Sequence, residues 1–381
     1  MTDRRPVGFG RRDGDPGATA APGVAPAPAG AMLLDDESMA RLIPERAKRG
    51  HKGSFGKLLV IAGSLDYAGA GLLVCRAAGR AGAGLVTLAV PESLQPLFAA
   101  KVVEATTMAL PEDDVEEVDP EPALAKILDH EHDALVVGPG LRPSLALADL
   151  LRLLLTMPDE GTAGPVVLDA EALRTLASAD GWWEGVTRRC VLTPHAGEFA
   201  RLRAGSGHEA ADDGDLAEDD EARVKAASSA AAAWRQVVVL KGARTVIADP
   251  DGTVGVAPFE NAAMASGGTG DVLAGTIGAL LAQGLPPFDA ARLGVYLHGL
   301  AGEAVSERIG DAGLLAGDLP DALPMGRKRL AQIAERQRSG RRLGFGARLA
   351  GTASDGSTGT DTPDEPAAAD EPAISAGGAP A

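Results

Sequence analysis

The chain has 381 residues, enough to bury a large core, and its 36 Lys and Arg against 53 Asp and Glu give a formal net charge of −17. This charge opposes binding to nucleic acid and to anionic membranes, so any bound phosphate needs a local site. The chain has two cysteines, which excludes a disulfide framework and a cysteine zinc site. It shows no apolar secretory signal and no apolar run of membrane-spanning length, so we expect a cytoplasmic protein without a membrane partner.

The two ends of the chain differ from its middle in composition. Residues 1–31 are rich in Pro, Ala, Gly and Arg without a pattern, and residues 339–381 are biased in a similar way, so both are predicted to be disordered tails. Residues 32–338 are predicted to form one folded domain. A run of acidic residues interrupts it at about 204–221 and is typical of a surface loop rather than of a metal site.

Apolar strands alternate with helices along the folded part. Strands are predicted at 57–62, 85–90, 106–110, 134–138, 166–169, 190–193, 237–240, 245–249 and 253–257. Helices are predicted at 33–41, 67–81, 94–100, 122–129, 145–155, 171–177, 220–234, 272–283 and 288–309, with a short one after Asp318. The last two strands are expected to pair as an antiparallel hairpin. The alternation predicts an α/β protein with a doubly wound, mostly parallel sheet and helices on both faces.

The stretch 261–283 joins a glycine-rich loop to an apolar helix. Backbone N–H groups at such a helix start are unpaired and lie at the positive end of the helix dipole, so they favour phosphate or a developing oxyanion. Asp271 adds a carboxylate at this position. The predicted phosphate loop consists of Gly267, Gly268, Thr269 and Gly270. The alternative interpretation is a flexible loop in which Asp271 only caps a core helix.

Polar residues also follow the carboxyl ends of other predicted strands, which is where open parallel sheets bind ligands. Lys241 comes directly after an apolar strand, and an ammonium group there indicates an anionic partner. His195 is equally compatible with a ligand contact and a structural role. Glu198 and Asp169 could each serve as a helix cap.

Taken together, these motifs resemble the NAD(P)H-hydrate dehydratase family over residues 52–323. They occur in family order and read GKLLVIAGS, YAGA, AGAGLV, VGPGL, TPHAGEFARL, VVLKGARTVI, NAAMASGGTGDVLAGTIGALLAQG, HGLAGE and AGDLPDALP. The GTGD element is shared with sugar and vitamin kinases, whereas TPHAGE and KGART narrow the resemblance to the dehydratases. The resemblance implies a ribokinase-like fold. Many members carry a fused epimerase domain, and the N-terminal segment of this sequence is expected to be too short to hold one.

The family resemblance also implies an activity and a set of site residues. NADHX and NADPHX, the hydrated forms of NADH and NADPH, are dehydrated as their S epimers, with ADP and Mg²⁺, through phosphorylation of the ring hydroxyl and elimination of phosphate. Asp271 is the expected base, ionised at neutral pH with a low pKa because it lies at a helix start. The other expected substrate contacts are Ala70, Gly140 and His195. The expected nucleotide contacts are Lys241, Gly242, Ala243, Arg244, Thr245 and Gly270.

Some features stay open at the level of sequence. The family's usual Asn is replaced by Arg174, so any role of that Asn is in doubt. The resemblance implies a homotetramer but identifies no metal ligands, and it leaves open the choices between ADP and ATP and between NADHX and NADPHX. The alternatives are an ATP-dependent vitamin or sugar kinase of the same fold and a nucleotide-binding sensor without catalysis.

Overall fold

A computed structural model describes residues 25–157, 164–206 and 219–350, with side chains up to residue 339. Ten strands form one sheet in the order β1-β10-β9-β8-β7-β6-β5-β2-β3-β4. Strand β9 runs antiparallel to both of its neighbours, and the other described pairs are parallel. The strands are Met32–Leu33 (β1), Lys57–Ile61 (β2), Leu85–Pro91 (β3), Thr106–Leu110 (β4), Ala134–Val137 (β5), Val166–Leu168 (β6), Cys190–Leu192 (β7), Val237–Leu240 (β8), Val246–Ala248 (β9) and Val254–Val256 (β10).

Helices flank the sheet. They are Asp36–Ala40 (α1), Ala68–Ala81 (α2), Gln95–Ala99 (α3), Pro120–Asp129 (α4), Leu145–Thr156 (α5), Glu171–Ala177 (α6), Ala196–Gly205 (α7), Asp220–Trp234 (α8), Thr269–Ala282 (α9) and Pro287–Ile309 (α10). A last helix covers Leu319–Ala350 (α11). Short 3₁₀ segments cover Lys52–Phe55, Glu92–Leu94, Ala262–Met264 and Ala316–Asp318. Among the described residues, no helix is both long and apolar enough to cross a bilayer.

Two of the predicted helices differ from those observed. The helix predicted at 33–41 begins only at Asp36, because Met32–Leu33 pairs with β10 and Asp35 caps the helix through the Ser38 backbone N–H. The helix after Asp318 is not short, since α11 continues to Ala350 and includes the start of the predicted C-terminal tail. Residues 1–24 and 351–381 and most of the acidic insertion lie outside the described residues, so their predicted disorder stays a prediction.

Alternate residues of the strands pack into two separate cores, one on each face of the sheet. Leu58 and Val60 of β2 belong to a core shared with α2, α9 and α10. Leu59 and Ile61 belong to the opposite core, which contains side chains of α4 to α8. Both faces are covered, so the strands read as continuous apolar runs. The predicted doubly wound α/β architecture is therefore confirmed.

Helix α9 is held against both the sheet and α2 by glycines. A methyl group at Gly275 would overlap the carbonyl of Val74 in α2, and one at Gly278 would overlap the side chain of Val136 in β5. Only glycine allows such close approach. The first turn of α9 is thereby fixed at the rim where the parallel strands end.

Candidate active site

A buried ion-pair cluster lies where β6, β7 and β8 end. The Lys241 ammonium is 2.7 Å from Asp169 Oδ1 and 3.7 Å from Glu198 Oε2. The Thr193 hydroxyl donates to the same Asp169 oxygen at 2.8 Å. Asp169 is only 2% exposed. Burial alone would lower the pKa of Lys241, but the charges of Asp169 and Glu198 outweigh it and raise that pKa above its ordinary value.

Asp271 lies in the first turn of α9 and faces this cluster. The residue that caps α9 is Gly268, with φ +91°, and no side chain caps the helix there. The alternative interpretation of Asp271 as the cap is therefore wrong. Burial, followed by the charge of Asp169, raises the pKa of Asp271 to about 7, although Lys241 acts in the opposite direction. The expected low pKa is also wrong, because desolvation exceeds the effect of the helix terminus.

The glycine loop brings its backbone up to the ion pair. A methyl group at Gly270 would lie 3.5 Å from the Lys241 ammonium and 3.8 Å from Asp169 Oδ2. The Thr269 hydroxyl donates to the backbone oxygens of Met264 and Ser266, at 3.1 and 3.0 Å, and so fixes the loop from within. The first turn of α9 thus lies next to an ammonium group, an arrangement suited to a phosphoryl group.

His298 of α10 is a site residue that the sequence interpretation missed. Its Nε2 lies 2.9 Å from the backbone oxygen of Thr269 and donates to it, because a carbonyl can only accept. Burial and the nearby Lys241 charge lower the pKa of His298 to about 4, so the ring is neutral at pH 7. The HGLAGE motif was the available signal, but its helical spacing is equally typical of a core helix.

A cavity of about 770 Å³ opens beside the ion pair. It is lined by seven residues from the predicted sites: His195, Lys241, Gly242, Ala243, Thr245, Thr269 and Gly270. Further residues complete its walls, among them His298, Phe259 and Met264. The structure therefore brings most of the predicted nucleotide contacts to one cavity, together with Thr269 and Gly270 of the predicted phosphate loop; Gly267, Gly268 and Asp271 do not line it.

The Arg244 side chain takes a different direction from its neighbours. Its guanidinium is 2.9 Å from Asp220 in α8 and donates to the carbonyls of Ala25 and Pro26. Arg223 donates to the carbonyls of Leu240 and Ala243 from the same side. These bonds fix the 241–245 loop, and they direct the Arg244 guanidinium away from the cavity.

The predicted substrate contacts fall into two places. Ala70 and Gly140 touch each other, since a methyl group at Gly140 (φ +68°) would lie 2.7 Å from the Ala70 side chain and 2.8 Å from the Tyr67 carbonyl. Gly268 is in contact with Leu73, one turn further along α2. Ala70 and Gly140 therefore pack together beside α2, and Gly268 links the same helix to the start of α9.

His195 is separate from Ala70 and Gly140 and lines the cavity beside the ion pair. Its Nδ1 accepts from the backbone N–H groups of Gly197 and Glu198, at 3.1 and 3.3 Å. Glu198 in turn accepts from the His195 backbone N–H at 2.9 Å. This reciprocal cap begins α7, so the structural roles considered for both residues are present. A ligand contact by His195 stays a prediction.

The described residues offer no metal cage. No group of three His, Cys, Asp or Glu side chains within them is arranged to hold an ion. Asp169 and Glu198 already face the Lys241 ammonium.

Arg174, the residue that departs from the family pattern, is 57% exposed and lies 3.3 Å from Glu171.

The family model described as NAD(P)H-hydrate dehydratase matches residues 58–325. The ADP-dependent (S)-NAD(P)H-hydrate dehydratase of Neisseria meningitidis is 38% identical over 291 residues, covering 75% of this chain and 90% of that protein. The bifunctional NAD(P)H-hydrate repair enzyme of Moorella thermoacetica is 42% identical over 295 residues, covering 77% of this chain and 53% of that protein. The chain thus spans about half the length of its bifunctional relatives.

Solved structures agree with these sequence relatives. The ADP/ATP-dependent NAD(P)H-hydrate dehydratase of Bacillus subtilis, co-crystallised with ATP and Mg²⁺, matches with a TM-score of 0.66 and 32% identity, covering 80% of this chain and all of that one. A ribokinase-like superfamily protein of Enterococcus faecalis has a TM-score of 0.65 at 24% identity, with 80% and 98% coverage. The expected ribokinase-like fold is confirmed.

Proposed function

This chain belongs to the NAD(P)H-hydrate dehydratase family, and we propose that it dehydrates the S epimers of NADHX and NADPHX to NADH and NADPH at the expense of ADP. The observation that carries this proposal is Asp271, a carboxylate with a pKa of about 7 in the first turn of α9. Its charge interacts with those of Asp169 and Lys241, and Lys241 lines the cavity.

The proposed reaction has two stages. Asp271 accepts the proton of the ring hydroxyl while the hydroxyl oxygen attacks the terminal phosphorus of ADP and AMP leaves. The ring nitrogen then drives breakage of the bond between carbon and the phosphorylated oxygen. Loss of phosphate and of a proton from the neighbouring carbon restores the double bond. The products are AMP, phosphate and the reduced cofactor, and a base of pKa about 7 suits the first step at neutral pH.

The other residues hold the phosphates during this transfer. The N–H groups at the start of α9 receive the moving phosphoryl group, and Lys241 offsets its charge. His298 fixes the first turn of α9 through the Thr269 carbonyl. The predicted Mg²⁺, when bound, would offset the charge of the nucleotide phosphates.

The decisive assay combines the purified protein, (S)-NADHX, Mg²⁺ and either ADP or ATP, and follows the return of reduced-nicotinamide absorbance. We expect recovery with ADP, and no recovery in Asp271→Asn although that variant still binds ADP. The R epimer serves as the substrate control. Failure of the unaltered protein to restore the absorbance with either nucleotide would refute the proposal.

The rival of the same fold is a vitamin or sugar kinase that uses ATP. It predicts a phosphorylated product that accumulates without elimination, which phosphorus NMR detects in the same reaction mixture. The predicted cytoplasmic location and homotetramer rest on composition and family resemblance. Light scattering after size-exclusion chromatography tests the tetramer, and a mass of about one chain would contradict it.

A further inference from the structure

The Lys241 ammonium lies among three carboxylates at unequal distances. Asp169 is in direct contact at 2.7 Å and Glu198 follows at 3.7 Å. Asp271 faces the same ammonium without a direct ion pair among the described contacts, although their charges interact. The cation is therefore drawn away from the one carboxylate that the proposed chemistry needs as a free base.

Asp169 is built to stay where it is. It follows β6 directly, and its backbone N–H donates to the Val137 carbonyl of β5 at 3.2 Å. The Thr193 hydroxyl donates to its Oδ1, the oxygen that also meets Lys241. The next residue, Ala170, has φ +50°, a conformation that costs free energy for any residue except glycine. Strain next to a carboxylate whose Oδ1 has two partners indicates that the position of this carboxylate matters.

We propose that Asp169 is a positioning residue. It holds the Lys241 ammonium next to Gly270, where the phosphoryl group would bind, and prevents it from pairing with Asp271. Gly270 provides the second part of this geometry. It lies against both partners and has no side chain, so an incoming phosphoryl group can reach Lys241 while the ion pair is intact. This inference rests on the proposed function for its catalytic meaning, but its electrostatic part concerns the free protein.

Loss of the Asp169 charge has two consequences that act in the same direction. A like charge next to Asp271 disappears, and Lys241 becomes free to pair with Asp271. Both stabilise the ionised carboxylate and make it a weaker base. The other ionisable groups around this centre are Glu198, Glu171, His195 and His298, and His298 is neutral at pH 7.

The test is Asp169→Asn, which removes the charge and keeps an oxygen that can accept from Thr193. We expect the acid limb of the kcat/KM pH profile to move down by about one pH unit and kcat to fall by about tenfold. Lys241→Met should move the same limb up. Asp149→Asn, on the surface of α5 with 59% of its side chain exposed, removes an equal charge and should leave the limb in place.

A substrate-free measurement separates this inference from the proposed function. Carbon NMR of the carboxyl groups in the labelled free protein, assigned with Asp271→Asn, reports the titration of Asp271 directly. We expect a lower midpoint in Asp169→Asn than in the unaltered protein. If Asp169→Asn does not fold, Thr193→Val, which removes one of the hydrogen bonds that fix Asp169, should give a smaller shift in the same direction. An Asp271 midpoint that is unchanged in the variant that folds overturns the inference, whether or not the protein dehydrates NADHX.

Discussion

Asp271 should make the folded protein less stable at neutral and alkaline pH, and Asp271→Asn should therefore be a stabilising substitution. The pKa of this carboxyl is about 7 in the folded protein against 3.8 for an ordinary Asp, because burial and Asp169 disfavour its charge. The folded state holds the proton more tightly than the unfolded chain. Stability from this group is therefore complete below pH 3.8 and is lost as the pH rises to about 7.

The size of the effect follows from the shift in pKa. The rise from 3.8 to about 7 corresponds, at about 1.4 kcal/mol per pH unit, to about 4 kcal/mol as an upper limit above pH 7. Asn has a similar shape and no charge, so it removes this penalty. A carboxylate that only favoured the helix dipole would act in the opposite direction, and its loss would cost about 0.3–1 kcal/mol.

The assay is urea denaturation at pH 4, 6 and 8, with the free energy of unfolding obtained by linear extrapolation. We expect Asp271→Asn to equal the unaltered protein near pH 4 and to exceed it increasingly at pH 6 and 8. The exposed Asp149→Asn should stay within about 0.5 kcal/mol of the unaltered protein throughout. If Asp271→Asn is no more stable than the unaltered protein at pH 8, the assignment of Asp271 as a buried base with a destabilising charge is refuted.

Four further predictions follow from contacts at the same rim and in the two cores. Gly270→Ala meets no close contact, so the protein should fold with unchanged or slightly higher stability but bind ADP at least about tenfold more weakly, as calorimetry would detect, because the methyl group covers the ion pair. Gly268→Ala should instead lower the melting temperature, since φ is +91° and a methyl group would lie 2.8 Å from a leucine side chain; equal melting temperatures would contradict this. His298→Phe removes the bond to the first turn of α9 and should cost about 1 kcal/mol and weaken ADP binding, and it is wrong if both are unchanged. The thiols of Cys75 and Cys190 are buried, which raises the pKa of each to about 12, so iodoacetamide should label them only after denaturation, as mass spectrometry would show.

The sequence was sufficient for those parts of the fold that local patterns control. Strands such as Val237–Leu240 are uninterrupted apolar runs, and their ends carry Lys241 and similar residues because ligands meet parallel sheets there. The antiparallel pairing of β9 with β10 could also be predicted, since a Pro-Asp-Gly turn separates the two strands. The first strand, Met32–Leu33, could not be predicted, because two residues are too few to show a periodic pattern and only pairing with β10 makes them a strand.

Properties that depend on several distant residues could not be predicted in this way. The pKa of Asp271 reflects burial and the charge of Asp169, which lies 102 positions earlier in the chain. The orientation of Arg244 is set by Asp220 of α8 and by two carbonyls near the N-terminal end of the described chain. His298 has the spacing of a core-helix residue, and only the folded chain places the Thr269 carbonyl beside its ring. In each case the missing information was tertiary.

The contacts of Arg244 have a practical consequence for anyone who trims this chain for expression or crystallisation. A version that begins at residue 32 would match the predicted domain boundary, yet it would delete the carbonyls of Ala25 and Pro26 that receive this guanidinium. Arg244 is only 7% exposed, so the freed N–H groups would lack partners directly behind the loop that borders the cavity. Shortened versions should therefore start before residue 25.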